Sequence, residues 1–180
     1  MREGENLESG EIRERFIKFF EEKGHVRLPS APLVLKDDPS VLFTSAGMQP
    51  LVPYFLGRKQ APAKRIVTIQ KVFRATDIDE VGRDGYHQTF FEMLGNFSIG
   101  DYWKKDAIAW GWELLTKEFG FDPNKLVATV HTSDDEAYDI WTKELVLLPA
   151  EKVFRLGDEA NFWAPGPTGL CGPDSEVFVD

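Results

Sequence analysis

The sequence has little cysteine and no long apolar run. Cys171 is its single cysteine, so the chain cannot form an internal disulfide and has no CxxC pair for zinc, which suits a reducing cytosolic compartment. No stretch approaches the roughly 20 apolar residues of a membrane span, and residues 1–10 lack the apolar run of a signal peptide. We therefore expect a cytoplasmic protein with no membrane partner and no metal held by these residues.

Positive charge is scarce as well. Lysine and arginine number 21 against 30 aspartates and glutamates, a net charge of −9, so long-range electrostatics repel nucleic acids and anionic membranes. We expect no DNA partner, and any contact with RNA must be local. Apolar residues make up 42% of the 180, enough for one globular domain with a buried core. Aromatic residues, at 13%, suit a site that stacks planar ligands as well as they suit a core.

Hydrophobic periodicity predicts an α+β chain. Apolar residues at helical spacing predict helices over 9–23 and 104–119, with Ser9 capping the first, and a third helix behind a capping box at 133–136. Residues 75–88 are predicted to form a long loop between two antiparallel strands, and loops of that length are often functional. Strands are predicted at 41–43, 64–73, 89–94, 126–131, 153–156 and 176–179.

A basic stretch precedes this loop. Residues 57–74 hold six lysines and arginines and no acidic residue, and Arg74 lies where the strand meets the loop. An arginine there can offer a planar, permanently charged fork to a phosphate or a carboxylate. The alternative is a solvated edge strand whose lysines deter aggregation. The pattern alone leaves both interpretations open.

Four segments together carry a family resemblance. They are GHVRLP at 24–29, LFTSAGMQP at 42–50, the block with FRATDIDEV and TFFEMLGNFSIGDYW at 73–103, and the tail with NFW and GPTGLCGPDSEVF. From about Glu11 to its end, the chain resembles the N-terminal part of the catalytic domain of the alanyl-tRNA synthetase family, in class II of the aminoacyl-tRNA synthetases. The resemblance implies an α+β fold with an antiparallel β-sheet that is flanked by helices and incomplete at the C-terminus. It also implies that ATP binds in a bent form over the hairpin made by the two strands on either side of the loop at 75–88.

The same resemblance implies roles for residues of the hairpin. Arg74 matches the arginine that binds the α-phosphate and the substrate carboxylate, where negative charge builds during reaction. Phe90 matches the aromatic residue that stacks on adenine. Its neighbour Phe91 points to the opposite face of the strand, so one of the two stacks, and the choice between them stays open. His87 either contacts phosphate oxygens of ATP or only holds the hairpin. Met93 falls in the ATP-binding strand, where packing is its better assignment.

Three further residues are implied by the match. Trp163 corresponds to the tryptophan that walls the alanine pocket, with a core tryptophan as the alternative. Glu176 corresponds to a carboxylate that holds Mg²⁺ or the α-ammonium of the amino acid, with a surface glutamate as the alternative. Asp77 is the weakest assignment, to the acceptor end of tRNA.

The resemblance finally implies an activity and its partners. Residues 1–180 would be the N-terminal portion of an aminoacylation domain, ending before the third signature motif of the class. With ATP, Mg²⁺ and alanine the longer ligase would form alanyl-adenylate and pass alanine to the 3′ end of its tRNA, whereas the 180 residues alone would be inactive. Zinc is expected only in an editing part beyond this chain. The competing hypothesis is a non-catalytic synthetase-like module that binds a nucleotide or a partner.

Overall fold

The computed structural model describes residues 7–36, 42–76, 78–164 and 169–179. Its elements fall into an N-terminal unit within Leu7–Asp101 and a C-terminal unit within Tyr102–Asp180. The main elements of the N-terminal unit are α1 (Ser9–Glu22), β1 (Val26–Arg27), α2 (Val52–Phe55), β2 (Arg65–Phe73) and β3 (Phe90–Ser98). Those of the C-terminal unit are α3 (Lys104–Glu113), β4 (Leu126–His131), α4 (Asp135–Asp139), β5 (Val153–Leu156), α5 (Asp158–Asn161), β6 (Phe162–Trp163), β7 (Gly172–Pro173) and β8 (Ser175–Val179).

Helix α1 buries one aromatic stripe and ends at a glycine. Its buried side chains are Phe16, Ile17, Phe19 and Phe20, the helical spacing that predicted it. Gly24 follows with φ +85°, a left-handed conformation that favours glycine and closes the helix. The cap prediction was wrong, because the N-cap is Glu8, whose side chain makes no capping bond, and Ser9 is the first helical residue.

The sheet of the N-terminal unit has the order β1-β2-β3. Strand β1 runs parallel to β2, and β2 runs antiparallel to β3 over nine residue pairs, from Arg65 opposite Ser98 to Phe73 opposite Phe90. The alternative of a solvated edge strand is therefore wrong, because β2 is the central strand and five of its nine residues are buried.

Strand β3 is longer than predicted because of how Gly95 packs. The predicted strand ended at residue 94, before a glycine and an asparagine that disfavour strands. In the structure the ring of Phe97 lies over Gly95, and a Cβ added there would meet ring atoms at 2.6 Å. The absent side chain makes room for an aromatic ring, which compensates for the low strand propensity of glycine.

The C-terminal unit is built around β4, with β5 parallel on one side and β8 antiparallel on the other. These three strands match the sequence prediction to within one residue. Helices α3 and α4 pack on one face of the sheet, and both continue into π-helical turns, Leu114–Glu118 and Ile140–Glu144. The buried core consists of Ile108, Ala128, Val130, Ala137, Ile140, Trp141, Leu148 and Val153.

Helix α4 is capped by Asp134 and not by the predicted Ser133. The Asp134 carboxylate accepts a hydrogen bond from the N–H of Ala137 at 3.0 Å and pairs with Lys104 Nζ at 2.8 Å. Ser133 instead places its hydroxyl 2.7 Å from Nδ1 of His131. The partner Lys104 selects the carboxylate, which a local capping pattern cannot foresee.

Helix α5 and strands β6 and β7 were not predicted. Strands β6 and β7 form a two-residue antiparallel hairpin that pairs Phe162 with Pro173 and Trp163 with Gly172. Proline and glycine in β7 argue against a strand by propensity, and pairing with the NFW segment overrides that preference. Within the ranges that the structure covers, no helix has the length and apolar character needed to cross a membrane.

Candidate functional site

Arg74 is fixed at three points of its length. It follows β2 directly, and its main-chain N–H donates to the carbonyl oxygen of Thr89 at 2.8 Å, which extends the hairpin by one bond. Its side-chain Nε donates to the carbonyl oxygen of Ser45 at 2.8 Å. The guanidinium carbon lies 5.5 Å from the centre of the Phe91 ring. Among the described residues its two terminal nitrogens have no hydrogen-bond partner, so the outer edge of the fork remains available for an anion.

The segment that holds Arg74 is itself held by the strands. The carbonyl oxygen of Thr44 accepts the N–H of Phe73 at 2.9 Å, and the hydroxyl of Thr44, which is fully buried, donates to the carbonyl oxygen of Pro32 at 3.0 Å. The predicted strand at 41–43 is wrong at residues 42 and 43, which form a bend, and Val41 lies outside the described residues. Because Thr44 is bonded to the end of β2, the Ser45 carbonyl that follows can accept the Arg74 side chain. In a paired strand that carbonyl would bond a neighbouring strand instead.

Strand β3 places Phe91, and not Phe90, beside Arg74. Successive side chains of a strand alternate between faces. Met93 shares the face of Phe91, and its sulfur accepts the N–H of Gly47 at 3.2 Å. Glu92, on the opposite face with Phe90, pairs with Arg13 of α1 at 2.5 Å.

The two phenylalanines therefore differ in what lies around them. Phe90 is about half exposed on the face that carries α1, whereas Phe91 is partly buried on the face of Arg74. The geometry places Phe91 beside Arg74, while the prediction that Phe90 stacks on adenine stays a prediction. The Met93 sulfur packs against the loop at Gly47, in line with the packing assignment of Met93.

His87 is braced within the hairpin by Asp84. The Nδ1 atom of His87 contacts the Asp84 carboxylate, whose other oxygen accepts the N–H groups of His87 at 3.0 Å and Tyr86 at 3.1 Å. The hydrogen bond from the His87 N–H, together with those from its side chain and from the Tyr86 N–H, lowers the pKa of Asp84 to about 2. Asp84 is therefore negative at neutral pH and stabilises the turn. Asp77, the weakest predicted site residue, lies outside the described residues.

Trp163 lies on a hairpin that a buried asparagine ties to the sheet. Trp163 is 37% exposed, so it is not a core tryptophan. Asn161 is fully buried, and its Nδ2 donates to the Thr129 hydroxyl and to the Asp174 carboxylate, both at 2.9 Å. Its main-chain oxygen accepts the N–H of Asp174 at 3.0 Å. Asn161 thus joins both arms of the hairpin to β4.

Glu176 projects from the face of β8 that is turned away from the core. Its neighbour Ser175 faces the core, where its hydroxyl accepts the indole N–H of Trp141 at 2.9 Å. Glu176 lies opposite Thr129 in the ladder. Partial burial of its carboxyl, together with the charge of Asp174, raises the pKa of Glu176. Two nearby carboxylates of which one is raised in pKa favour a positively charged ligand.

Among the residues that the structure covers, no group of three or more histidine, cysteine, aspartate or glutamate side chains is arranged to hold a metal ion. Glu176 has Asp174 near it, which makes a carboxylate pair and not a closed metal cage.

A family profile described as tRNA synthetases class II (A) matches residues 11–180, which is nearly the whole chain. The chain belongs to this class II tRNA synthetase family. The resemblance and the α+β fold class predicted from the sequence are thereby confirmed.

Individual relatives agree with the class II assignment. The chain is 52% identical over 176 residues to an alanine–tRNA ligase of Thermoanaerobacter sp. (strain X514), covering 98% of the chain and 20% of that relative. It is 54% identical over 170 residues to the alanine–tRNA ligase of Carboxydothermus hydrogenoformans, covering 94% and 19%. For an alanine–tRNA ligase of Thermus thermophilus the identity is 52% over 183 residues, covering 97% and 21%. The chain spans about a fifth of the length of these curated relatives.

In this class II domain the structure adds residues that sequence reasoning did not single out. They are Ser45, which holds Arg74 through a main-chain carbonyl, and Asn161, which holds the Trp163 hairpin. The family resemblance of the LFTSAGMQP segment was the one sequence signal that pointed to the region of Ser45. Asn161 stands next to Phe162 and Trp163 in the NFW segment, and its burial is visible only in the fold.

Proposed function

We propose that the chain is the front part of an alanine–tRNA ligase catalytic domain, with Arg74 as its phosphate-binding and carboxylate-binding arginine. The observation that carries this proposal is the Arg74 guanidinium, which is held at Nε by Ser45 and has both terminal nitrogens without a partner among the described residues. Such a fork donates two parallel hydrogen bonds to an oxyanion. The family membership and the alanine–tRNA ligase relatives support the substrate assignment.

The proposed reaction joins alanine to AMP. An oxygen of the alanine carboxylate attacks the α-phosphorus of Mg·ATP, the new O–P bond forms, and the bond from that phosphorus to the bridging oxygen breaks with release of pyrophosphate. Arg74 would donate to the oxygens that gain negative charge on the way. Transfer of alanine to the 3′ end of tRNA follows in the longer protein.

Aromatic stacking would place the nucleotide base. Phe91 shares the face of Arg74, with the guanidinium carbon 5.5 Å from its ring centre, so we propose Phe91 in place of Phe90 as the residue that supports adenine. His87 is engaged with Asp84, which supports a role in holding the hairpin over direct phosphate contact.

The amino-acid side of the reaction is proposed for the C-terminal unit. Trp163, partly exposed on its hairpin, would limit the size of the side chain that is accepted. Glu176, with Asp174 nearby, would receive the α-ammonium of alanine. Burial and then the charge of Asp174 raise the pKa of Glu176, and a cation would offset the repulsion between the two carboxylates. Asp77 remains a proposed contact of the tRNA acceptor end.

Location and further metals are proposed on the basis of the family assignment. We place the protein in the cytoplasm, where tRNA charging takes place. Zinc would be held only by an editing part beyond these residues, since the single cysteine of the chain offers no zinc cage.

The test is alanine-dependent ATP–pyrophosphate exchange in the full-length natural protein that carries these residues. Arg74→Ala should lower the exchange rate by about 10²–10³-fold, as does removal of one donor to transition-state charge in other enzymes. Arg58→Ala, a change of an exposed arginine in the same basic stretch, serves as the matched control and should leave exchange near the wild-type rate.

Two outcomes would contradict the proposal. An Arg74→Ala protein with unchanged exchange would remove Arg74 from the reaction. A wild-type protein that binds ATP yet shows no exchange with alanine would favour the competing hypothesis of a non-catalytic module.

A further inference from the structure

The side chain of Gln49 bonds to Ser45, the residue whose carbonyl oxygen holds Arg74. Its Oε1 accepts the main-chain N–H of Ser45 at 2.9 Å and lies 3.4 Å from the Ser45 hydroxyl. Ser45 is thus held at its N–H by Gln49, while its carbonyl oxygen accepts Nε of Arg74 at 2.8 Å. Two hydrogen bonds therefore connect the Gln49 amide to the guanidinium through a single residue.

Gln49 is anchored independently of Arg74. It begins a 3₁₀ turn, Gln49–Leu51, which leads into α2, and Leu51 is buried. The main-chain N–H of Gln49 donates to the carbonyl oxygen of Ala46 at 3.2 Å. The buried Leu51 and this hydrogen bond hold the turn in place, and the turn positions the Gln49 side chain next to Ser45.

The other end of the segment is anchored as well. Thr44 is fully buried, and its carbonyl oxygen accepts the N–H of Phe73, the residue before Arg74, at 2.9 Å. The Ser45 N–H shares a peptide group with the Thr44 carbonyl, and the Ser45 carbonyl belongs to the next peptide group. Without the Gln49 bond the first group is held only through Thr44, so the backbone of Ser45 can shift and its carbonyl oxygen is less well aimed at Arg74.

We propose that Gln49 is a positioning residue for Arg74. It acts through Ser45 by fixing the carbonyl that orients Nε, which leaves the two terminal nitrogens of the guanidinium directed outward. The long Arg74 side chain is therefore already ordered before the reaction begins. This pre-organisation matters most for a group that donates to charge in the transition state. The inference rests on the proposed role of Arg74 in alanine activation.

The experiment measures ATP–pyrophosphate exchange in the full-length natural protein with changes at position 49. Gln49→Ala should lower kcat by about 10-fold, the equivalent of one lost hydrogen bond, with a smaller change in KM for ATP. Gln49→Glu keeps an acceptor oxygen at the same distance and should restore kcat to within about 3-fold of wild type. Gln60→Ala, a change of an exposed glutamine in the same unit, is the matched control.

A double variant separates positioning from general stabilisation. If Gln49 acts through Arg74, the Gln49→Ala, Arg74→Ala protein should be no slower than Arg74→Ala alone, because the positioned group is already absent. If the two losses multiply instead, Gln49 acts independently of Arg74 and the inference is overturned. Should Gln49→Ala fail to fold, Gln49→Met keeps the length of the side chain without its oxygen, and the same comparisons apply.

The failure of this inference differs from the failure of the proposed function. If Arg74→Ala lowers exchange and neither Gln49→Ala nor Gln49→Met differs from the Gln60→Ala control, Gln49 is not a positioning residue and the function stands. If Arg74→Ala itself leaves exchange unchanged, the role of Arg74 in the proposed function is wrong and the inference is overturned with it.

Discussion

Changing Asn161 to aspartate should detach the Trp163 hairpin from its sheet in a pH-dependent way. The two side chains have nearly the same size, so the change replaces the donor Nδ2 by an oxygen and little else. Nδ2 donates to the Thr129 hydroxyl and to the Asp174 carboxylate at 2.9 Å each. At neutral pH the new carboxylate would face that of Asp174 in a site where residue 161 is fully buried.

The size of the effect follows mainly from the lost bond to Asp174, because the Thr129 hydroxyl can rotate and donate to the new carboxylate. A hydrogen bond to a charged group contributes about 1.5–3 kcal/mol, so the free energy of unfolding should fall by about 2 kcal/mol. For a chain of roughly 150–250 residues that lowers Tm by roughly 4–8 °C. Repulsion between the two carboxylates adds to this loss.

The loss of stability in Asn161→Asp should depend on pH. Burial and the like charge of Asp174 should raise the folded-state pKa of the introduced aspartate above its unfolded value of about 3.9. The loss in free energy of unfolding is complete above the folded-state pKa. It shrinks as the pH falls toward the unfolded-state pKa, because the protonated carboxyl can again donate a hydrogen bond to Asp174. The difference in Tm from wild type should therefore narrow on acidification.

The assay is thermal unfolding of wild type and variant at several pH values, followed by tryptophan fluorescence. Asn124→Asp is the matched control, since the Asn124 amide donates to Asp122 at 3.1 Å in an exposed position. The control should lose less than about 1 kcal/mol, as exposed charge contacts do. Equal losses in the two variants at neutral pH, or a difference from wild type that does not narrow in acid, would refute the role assigned to Asn161.

Two further predictions concern other parts of the chain. Phe91→Ala should raise KM for ATP in the full-length natural protein by about 5- to 150-fold, the equivalent of one lost base stack, whereas Phe90→Ala should change it little, and the reverse ranking in exchange kinetics would reinstate Phe90. Asp134→Ala should destabilise the chain by about 1–3 kcal/mol by removing a cap and an ion pair, and Asp134→Asn should cost less because its amide oxygen can still cap α4. Burial acts to raise the pKa of Asp134, but hydrogen bonds from Lys104 and the Ala137 N–H outweigh it and lower that pKa, so the Asp134 contribution should be present above about pH 4 and be lost as the pH falls through the lowered pKa. Equal stability of wild type and Asp134→Ala in urea unfolding at pH 7 would contradict this.

Much of the fold could be predicted wherever one periodicity dominates. The apolar stripe of α1 and the β-branched residues of β4 identified those two elements to within one residue. The errors arose where tertiary contacts outweigh local preference. Gly95 continues a strand because the Phe97 ring covers it, and Asp134 displaces Ser133 as a cap because Lys104 pairs with it.

The candidate site could be predicted only in part. Arg74 was a candidate because it ends an acid-free basic stretch and matches a family arginine, and strand alternation predicted that Phe90 and Phe91 face opposite ways. The choice between them depends on which face α1 covers, and that is a property of packing. The holding contact of Ser45 uses a main-chain carbonyl, which every residue type possesses, so no pattern of side chains could reveal it.

The long pairing of β2 with β3 limits which changes of length the hairpin can accept during evolution. Nine residue pairs hold the two strands in register, so insertions in the connection at 75–88 leave Arg74 and Phe91 where they are. Such insertions are inexpensive, since doubling the length of a loop costs only about 0.6 kcal/mol in closure entropy. Deletion of a single residue between Phe91 and Gly95 would instead turn Phe91 to the α1 face and bring Phe90 beside Arg74. Relatives should therefore vary in length at the tip of this hairpin and keep the number of residues in its strands constant.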